Sequence, residues 1–402
     1  MKYVVVLGDG MADEPIAELD GRTPLEAAAT PVMDDLAGRS ELGMSANIPE
    51  GMKPGSDTAN LAVLGYDPKK FYSGRSPLEA LSIGVPMKDD DIAIRCNFVT
   101  LVGDDLPYEQ KTIIDHSSSE ISTEDCAVLV EAVKKELIKE PFSLYVGTSY
   151  RHCLIWNGGK VVQLAQPHDI PGRVIGEYLP EEPLLREMMK KSYDILNNHP
   201  INIEREKRGL HKANSMWFWG AGTKPSLCSF EEKTGLKGAM ISAVDLLKGI
   251  AVGAGMHVEI VPGADGTLNT NYEGKADAAV RLLKEGYDFV YVHVEAPDEM
   301  GHQGSIERKI KSIEYLDGRV IGRIHRQLDE YGERYRMLVL PDHPTPISCR
   351  THTSTPVPYM LYDSGHEHRG INVYNEKTAA ASEIFVPEGY KLIDRLFTVP
   401  EV

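Results

Sequence analysis

The chain reads as an α/β protein, with a doubly wound, mostly parallel sheet as its core and a smaller α+β cap domain inserted into that core. Two observations predict this. Short apolar runs without polar alternation at residues 3–7 (YVVVL), 289–294 (FVYVHV) and 337–340 (MLVL) have the composition of strands covered on both faces. Helix-compatible spacing at residues 77–83, 276–285 and 306–331 stands between them, so strand and helix alternate at both ends of the chain. In such sheets ligands gather beyond the carboxyl ends of the strands.

The middle of the chain has another character. Acidic clusters (KDDD, GDDLP), an amphipathic helix expected over 126–139, a strand near 142–146 and proline-rich turns (AQPHDIPG, LPEEPLL) follow one another between residues 88 and 208. The charge-rich stretches near 87–91 and 197–208 read as linkers. This places the core at residues 1–88 and 209–402 and the inserted cap at 89–208, with no internal repeat and no low-complexity run.

Composition narrows the function. In 402 residues, 42% are hydrophobic and 26% charged, enough for a large core in two or three domains. The net charge of −17, from 60 acidic and 43 basic residues, argues against a nucleic acid or an anionic membrane as partner. A phosphate-bearing substrate would have to be met by local cations. Five cysteines without CxxC spacing exclude a thiolate zinc site and point to a reducing compartment. The apolar N-terminal run is too short for a signal peptide, and residues 238–256 are interrupted by Asp245, Lys248 and several glycines, so a cytoplasmic protein is expected. Oligomeric state stays open.

Acids and imidazoles cluster after the expected strands. Asp9 follows the first (YVVVLGDG), Asp298 and His302 follow another (YVHVEAPDEMGH), and Asp342 with His343 follow a third (MLVLPDH), with His352 further on in RTHTSTPVPY. If those strands are parallel neighbours, their carboxyl ends converge. Six N/O ligands would then make one crowded site or two metal sites. Asp298 and His302 are four apart, so a helical turn points them the same way. The mixture of carboxylate and imidazole suits Mn²⁺ or Zn²⁺ rather than Ca²⁺ or an Fe–S cluster.

Ser56 stands in MKPGSDTANLAVLGY, where a turn meets an apolar helix. Ser56, Asp57 or Thr58 can each cap that helix, the ordinary role of such residues. A helix start also favours an anion, and beside a divalent cation a serine hydroxyl becomes a nucleophile able to carry a phosphoryl group.

The segments GDGMAD, PGSDTANLAVLGYDP, YSGRSPLEA, EAPDEMGHQG, LPDHPTP and RTHTSTPVPY, in this order, resemble the archaeal-type cofactor-independent phosphoglycerate mutases of the alkaline phosphatase superfamily. The resemblance spans essentially the whole chain. It implies an alkaline phosphatase-like core with an inserted cap, two divalent ions (Mn²⁺, with Zn²⁺ or Mg²⁺ as alternatives), no bisphosphoglycerate, and a phosphoserine intermediate on Ser56. By motif, one ion would be held by Asp9, Ser56, Asp342 and His343, the other by Asp298, His302 and His352. The implied reaction interconverts 2-phosphoglycerate and 3-phosphoglycerate, its partner being a small phosphorylated metabolite.

One departure stands out. Where archaeal-type mutases tend to carry a DRRAGR-like stretch, this chain has IIDHSSSEISTED, with His116 and three serines. Together with SYRH, HPINIERE and NSMWFWGAG, this resembles a side branch of the family proposed to act as homoserine kinases, in which the same serine and metals would serve another acceptor. A phosphomonoesterase and a non-catalytic metal-binding homologue are further alternatives. The substrate-binding candidates are Arg151, His152, His116, Arg95 and Arg205, with Arg151 foremost; Arg75 and Arg208 are lesser ones, and each also reads as a surface or structural residue in so acidic a chain. The Trp217–Phe218–Trp219 run reads as core packing, and GADG at 263–266, lacking the P-loop lysine, as a turn.

Overall fold

The computed structural model describes residues 1–366 and 370–398. In chain order its strands are β1 (Lys2–Gly8), β2 (Ser40–Ser45), β3 (Asp91–Val102), β4 (Thr112–Asp115), β5 (Phe142–Tyr145), β6 (Arg151–Asn157), β7 (Ser215–Thr223), β8 (Gly238–Ile241), β9 (His257–Glu259), β10 (Phe289–Val294), β11 (Tyr335–Leu340), β12 (Val357–Asp363) and β13 (Phe385–Val386). They belong to two compact units, Met1–Tyr72 with Ser226–Val402, and Ser73–Pro225.

The first unit is built on an eight-stranded sheet in the order β13-β2-β12-β11-β1-β10-β8-β9. All its neighbours pair in parallel except where β12 meets β11 and β2. β1 lies between β10 and β11, with Val4 opposite Val290 on one side and Met337 on the other. The missing alternation of YVVVL follows from this position, because Val4, Val5, Val6 and Leu7 are all fully buried. Val4 and Val6 face a cluster that includes Ala276, Ala279 and Leu283 of the helix Tyr272–Lys284, and Ile324 and Leu328 of the helix Gly322–Tyr331. On the opposite face Tyr3 packs edge-on against Phe397, and Phe289 lies against Phe230 with the rings tilted by 34°. The sheet is therefore wound on both sides.

The single helix expected over 306–331 is divided. A π-helical stretch, Leu316–Ile321, separates Ile306–Tyr315 from Gly322–Tyr331. Within it the Asp317 carboxylate accepts from the backbone N–H groups of Val32 (3.2 Å) and Met33 (2.7 Å) at the start of the helix Pro31–Ala37. No helix among the described residues is long and apolar enough to cross a membrane.

The second unit is an antiparallel sheet around the long strand β3, which pairs with β4, β6 and β7, while β5 pairs with β6. The helices Thr123–Leu137 and Pro183–Leu196 lend Leu129, Val130, Val133, Met189 and Leu196 to its core, where Trp217 and Phe218 of β7 are also buried. The aromatic run is core packing. The joints fall at 72/73 and 225/226 rather than at the expected 88/89 and 208/209. The reason lies in the strands: β7 completes the sheet by pairing with β3, and Ala80 of the helix Arg75–Ser82 packs with Ala93, Cys153 and Ile155 of the same sheet. The charged stretches mark solvent-facing segments of this unit, not its ends.

Candidate active site

β10, β1 and β11 are adjacent and parallel, so the residues that follow them emerge at one edge of the sheet. Asp9 comes from β1, Asp298 and His302 from the helix Ala296–His302 after β10, and Asp342 and His343 from the turn after β11. His352 reaches the same place from the chain leading into β12, its ring centroid 4.0 Å from that of His343.

Two overlapping triads result. Asp9, Asp342 and His343 offer ligand atoms within 4.8 Å of one another, and so do Asp298, His343 and His352. His302 adjoins the second, its Nε2 lying 3.2 Å from Asp298 Oδ2 and 3.0 Å from His352 Nε2. Ser56 adjoins the first, its Oγ 3.1 Å from His343 Nε2. The two sets expected from motifs thus touch, with His343 common to both triads.

The loop before the serine resolves its alternative role. Gly55 is the N-cap residue of the helix Ser56–Val63, with no side-chain cap, and Ser56 is the first helical residue. Its hydroxyl turns to His343 instead of to the helix N–H groups. Asp57 takes the neighbouring Thr58 N–H at 2.9 Å.

The electrostatics of the cluster are unrelieved by protein donors alone. Asp9 is buried, with Oδ2 held by His293 Nε2 at 2.9 Å and Oδ1 without a hydrogen bond, His343 Nε2 lying 3.6 Å away. Burial, then the Asp342 and Asp298 carboxylates, push its pKa well up. Burial also disfavours ionised Asp298, but hydrogen bonds from His302 and His352 outweigh it and hold that carboxyl well below its usual range. His302 is raised to about 9, chiefly by Asp298. Its Nδ1 donates to the Arg350 carbonyl at 3.0 Å, which leaves Nε2 as the atom presented to His352 and Asp298. An orphaned carboxylate oxygen and imidazole nitrogens aimed at carboxylates form a donor set that fits divalent cations.

The surrounding groups fix this geometry, and sequence reading missed them. Burial holds His293, the one imidazole in the FVYVHV strand, neutral near pKa 3, and its Nδ1 faces Ser242 Oγ at 3.2 Å. Thr345 donates to Asp298 Oδ1. The buried Lys309 pairs with Asp13 at 2.8 Å and donates to the Thr345 carbonyl at 2.8 Å, tying the segment after Asp9 to the loop after His343. Asn60 bridges Ser56 and Asp342. A polar residue in the middle of an apolar strand or helix was the available signal in His293 and Asn60.

The five substrate-binding candidates belong to the second unit and separate into two groups. His152 is 4% exposed, with Nδ1 accepting from Gly147 N–H at 3.1 Å and Nε2 3.0 Å from Cys126 Sγ. Arg205 is 4% exposed and spends its guanidinium on the carbonyls of Ser118 and His211. Both support the unit from within instead of facing a ligand. Arg205 secures an unusual turn, since Ser118, Ser119 and Glu120 all have positive φ of 46–52° and the Asp115 carboxylate takes the N–H groups of Ser117 and Ser119. Arg95 is nearly buried, stacked 4.0 Å over Trp219 and paired with Glu79 at 2.9 Å. His116 packs edge-on against Tyr150 and His168, and Arg151 lies exposed over Tyr150.

Fold and site together are those of an α/β enzyme that gathers its polar chemistry at the carboxyl edge of a parallel sheet. The comparisons make this particular. Residues 37–202 match the family model described as 2,3-bisphosphoglycerate-independent phosphoglycerate mutase. The chain is 47% identical to a probable mutase of that name from Geobacter sulfurreducens, over 98% of this chain and 99% of the relative. It is 49% identical to the Methanosarcina barkeri protein of that name, over 98% of each. A solved protein from Pyrococcus horikoshii is similar at 32% identity and TM-score 0.82, covering 99% of this chain and 97% of that one. The cofactor-independent phosphoglycerate mutase from Thermoplasma acidophilum is similar at 27% identity and TM-score 0.68, covering 99% and 100%. The chain belongs to the 2,3-bisphosphoglycerate-independent phosphoglycerate mutase family.

Proposed function

We propose that this enzyme interconverts 2-phosphoglycerate and 3-phosphoglycerate through a phosphoryl group carried on Ser56. The observation that carries the reading is the Ser56 hydroxyl, turned away from its own helix and set 3.1 Å from His343 among buried carboxylates. Asp9, Asp342 and His343 with Ser56 would hold one divalent ion, and Asp298, His302 and His352 a second, Mn²⁺ being the first candidate. When bound, such ions neutralise phosphoryl oxygens and lower the pKa of a coordinated hydroxyl.

The chain's own part is positional. Ser56 Oγ forms the bond to phosphorus as the bond between phosphorus and the substrate oxygen breaks, and the proton lost from the serine balances the one gained by the departing glycerate hydroxyl. The glycerate turns, its other hydroxyl attacks the phosphoserine, and Ser56 is regenerated. No bisphosphoglycerate is needed, because the phosphoryl group never leaves the enzyme between the two steps.

A second reading, phosphoryl transfer to an amino alcohol such as homoserine, is favoured by one observation. The turn at residues 115–120 presents no guanidinium, and Arg205, which binds it, is committed to backbone carbonyls. The test is purified protein with Mn²⁺, given either 2-phosphoglycerate alone or homoserine with a nucleotide. Formation of 3-phosphoglycerate without nucleotide or bisphosphoglycerate, with Ser56 heavier by one phosphoryl group in quenched samples, is the expected result. Phosphorylated product from homoserine with the nucleotide, and none from 2-phosphoglycerate, would replace the first reading by the second.

A further inference from the structure

We infer that Asn60, locked by Tyr291, is the positioning residue that sets the nucleophile in register with the metal-holding carboxylate. The inference rests on the Ser56 reading above. Asn60 is fully buried in the helix that Ser56 begins. Its side-chain amide donates to the Ser56 carbonyl at 2.8 Å and to Asp342 Oδ2 at 2.9 Å. Its Oδ1 accepts from the Tyr291 hydroxyl at 2.6 Å. Both N–H groups and the carbonyl are used, and each has a different partner.

This arrangement has one orientation. Tyr291, fully buried on β10, is a neutral phenol and so the donor, which assigns the oxygen of Asn60 to the tyrosine and the nitrogen to Ser56 and Asp342. Asp342 has its other oxygen engaged by the N–H groups of Gly10 (3.1 Å) and His343 (2.9 Å). The Asn60 bond therefore completes the fixing of that carboxylate and ties it to the first turn of the serine helix. Aspartate at position 60 has the same shape and the wrong chemistry: it would set an acceptor against the Asp342 carboxylate and the Ser56 carbonyl. Ser56 cannot move relative to Asp342 without breaking a hydrogen bond of the buried Asn60 amide.

The experiment uses full-length protein stripped of metal and carrying Asn60→Asp or Tyr291→Phe. Mn²⁺ titration calorimetry without substrate is expected to show Kd raised about 10-fold to 100-fold in Asn60→Asp and about 3-fold in Tyr291→Phe, the range of effects seen when groups behind a metal ligand are lost. Single-turnover labelling of Ser56 from 2-phosphoglycerate should slow by about 100-fold in Asn60→Asp with KM within about 3-fold, since register affects the reacting atoms more than binding. Should Asn60→Asp fail to fold, Tyr291→Phe decides the matter by the same two readouts. Wild-type Mn²⁺ affinity and labelling rate in either folded variant, or a loss confined to KM, would overturn the inference. A wild-type protein that binds Mn²⁺ but never labels Ser56 would instead overturn the reading beneath it.

Discussion

Both units bury polar side chains, and they do so to opposite ends. In the second unit, among the described residues, such groups find partners: Asn202 bonds the carbonyls of Leu196 and Ala213 and the N–H of Ala213, Asn214 bonds both backbone groups of Leu101, and Arg205 bonds two carbonyls. In the first unit the carboxyl edge does the reverse. Asp9 keeps an oxygen with no donor, and His302 and His352 bring their Nε2 atoms to 3.0 Å of each other. Satisfied burial holds a fold together; a buried carboxylate oxygen without a donor, beside crowded imidazoles and carboxylates, marks a place meant for something else.

The sharpest way to break this contrast is to remove the groups gathered at that edge. Ser56→Ala should abolish turnover, by about 10⁴-fold or more, while far-ultraviolet circular dichroism stays unchanged. Asp9→Asn should weaken Mn²⁺ binding by at least about 100-fold in calorimetry if, as proposed, the orphaned oxygen serves as a ligand atom. Chelation sharpens the point without mutation. If the edge waits for cations, adding Mn²⁺ at about 100 times its Kd to metal-free protein should raise unfolding free energy by about 2.7 kcal/mol in urea titrations. No shift in midpoint would end the metal reading of the first unit.

How much of this contrast the amino-acid sequence announced depends on the range of each interaction. Strand β10 is the run 289–294 as expected, because full burial on both faces leaves an unmistakable apolar segment. The seven residues of the proposed centre stood out because each follows a strand, opens a helix or lies in a loop, where local context shows. Asn60, His293 and Tyr291 were not, because their roles are defined by partners 231 to 284 positions away. Partners 87 and 26 positions away explain the readings that differ in the second unit. Arg205 and His152 looked like ligands for want of any sequence signal that Ser118 and Cys126 would claim them. The domain joints were misplaced because charge reports exposure, whereas membership of a unit is decided by strand pairing.

A smaller effect tests the second unit. Arg205→Met should cost about 2–4 kcal/mol in chemical denaturation, since the carbonyls of Ser118 and His211 lose their donor beside three residues of positive φ. Mn²⁺ affinity should stay as in wild type. A variant that kept its stability and lost substrate affinity would restore Arg205 to the ligand-facing role that its burial argues against.

Asp317 offers the smallest test, because it is a buried carboxylate of the first unit that lies outside the proposed centre and has two backbone donors. Burial nonetheless raises its pKa to about 6, with Asp34 adding to the rise and the N–H groups of Met33 and Val32 opposing it. A carboxyl whose folded pKa exceeds its unfolded value of about 3.9 binds a proton more tightly when folded. Its contribution to stability is therefore complete below about pH 4 and is lost as pH rises through 6. Wild type should lose about 2 kcal/mol of unfolding free energy across that window relative to Asp317→Asn, whose amide does not titrate. Parallel pH curves for the two proteins would mean that the two amide donors fully offset the burial of Asp317. In that case hydrogen-bond partners alone, without regard to depth, would separate the quiet carboxylates of this unit from the strained ones at its edge.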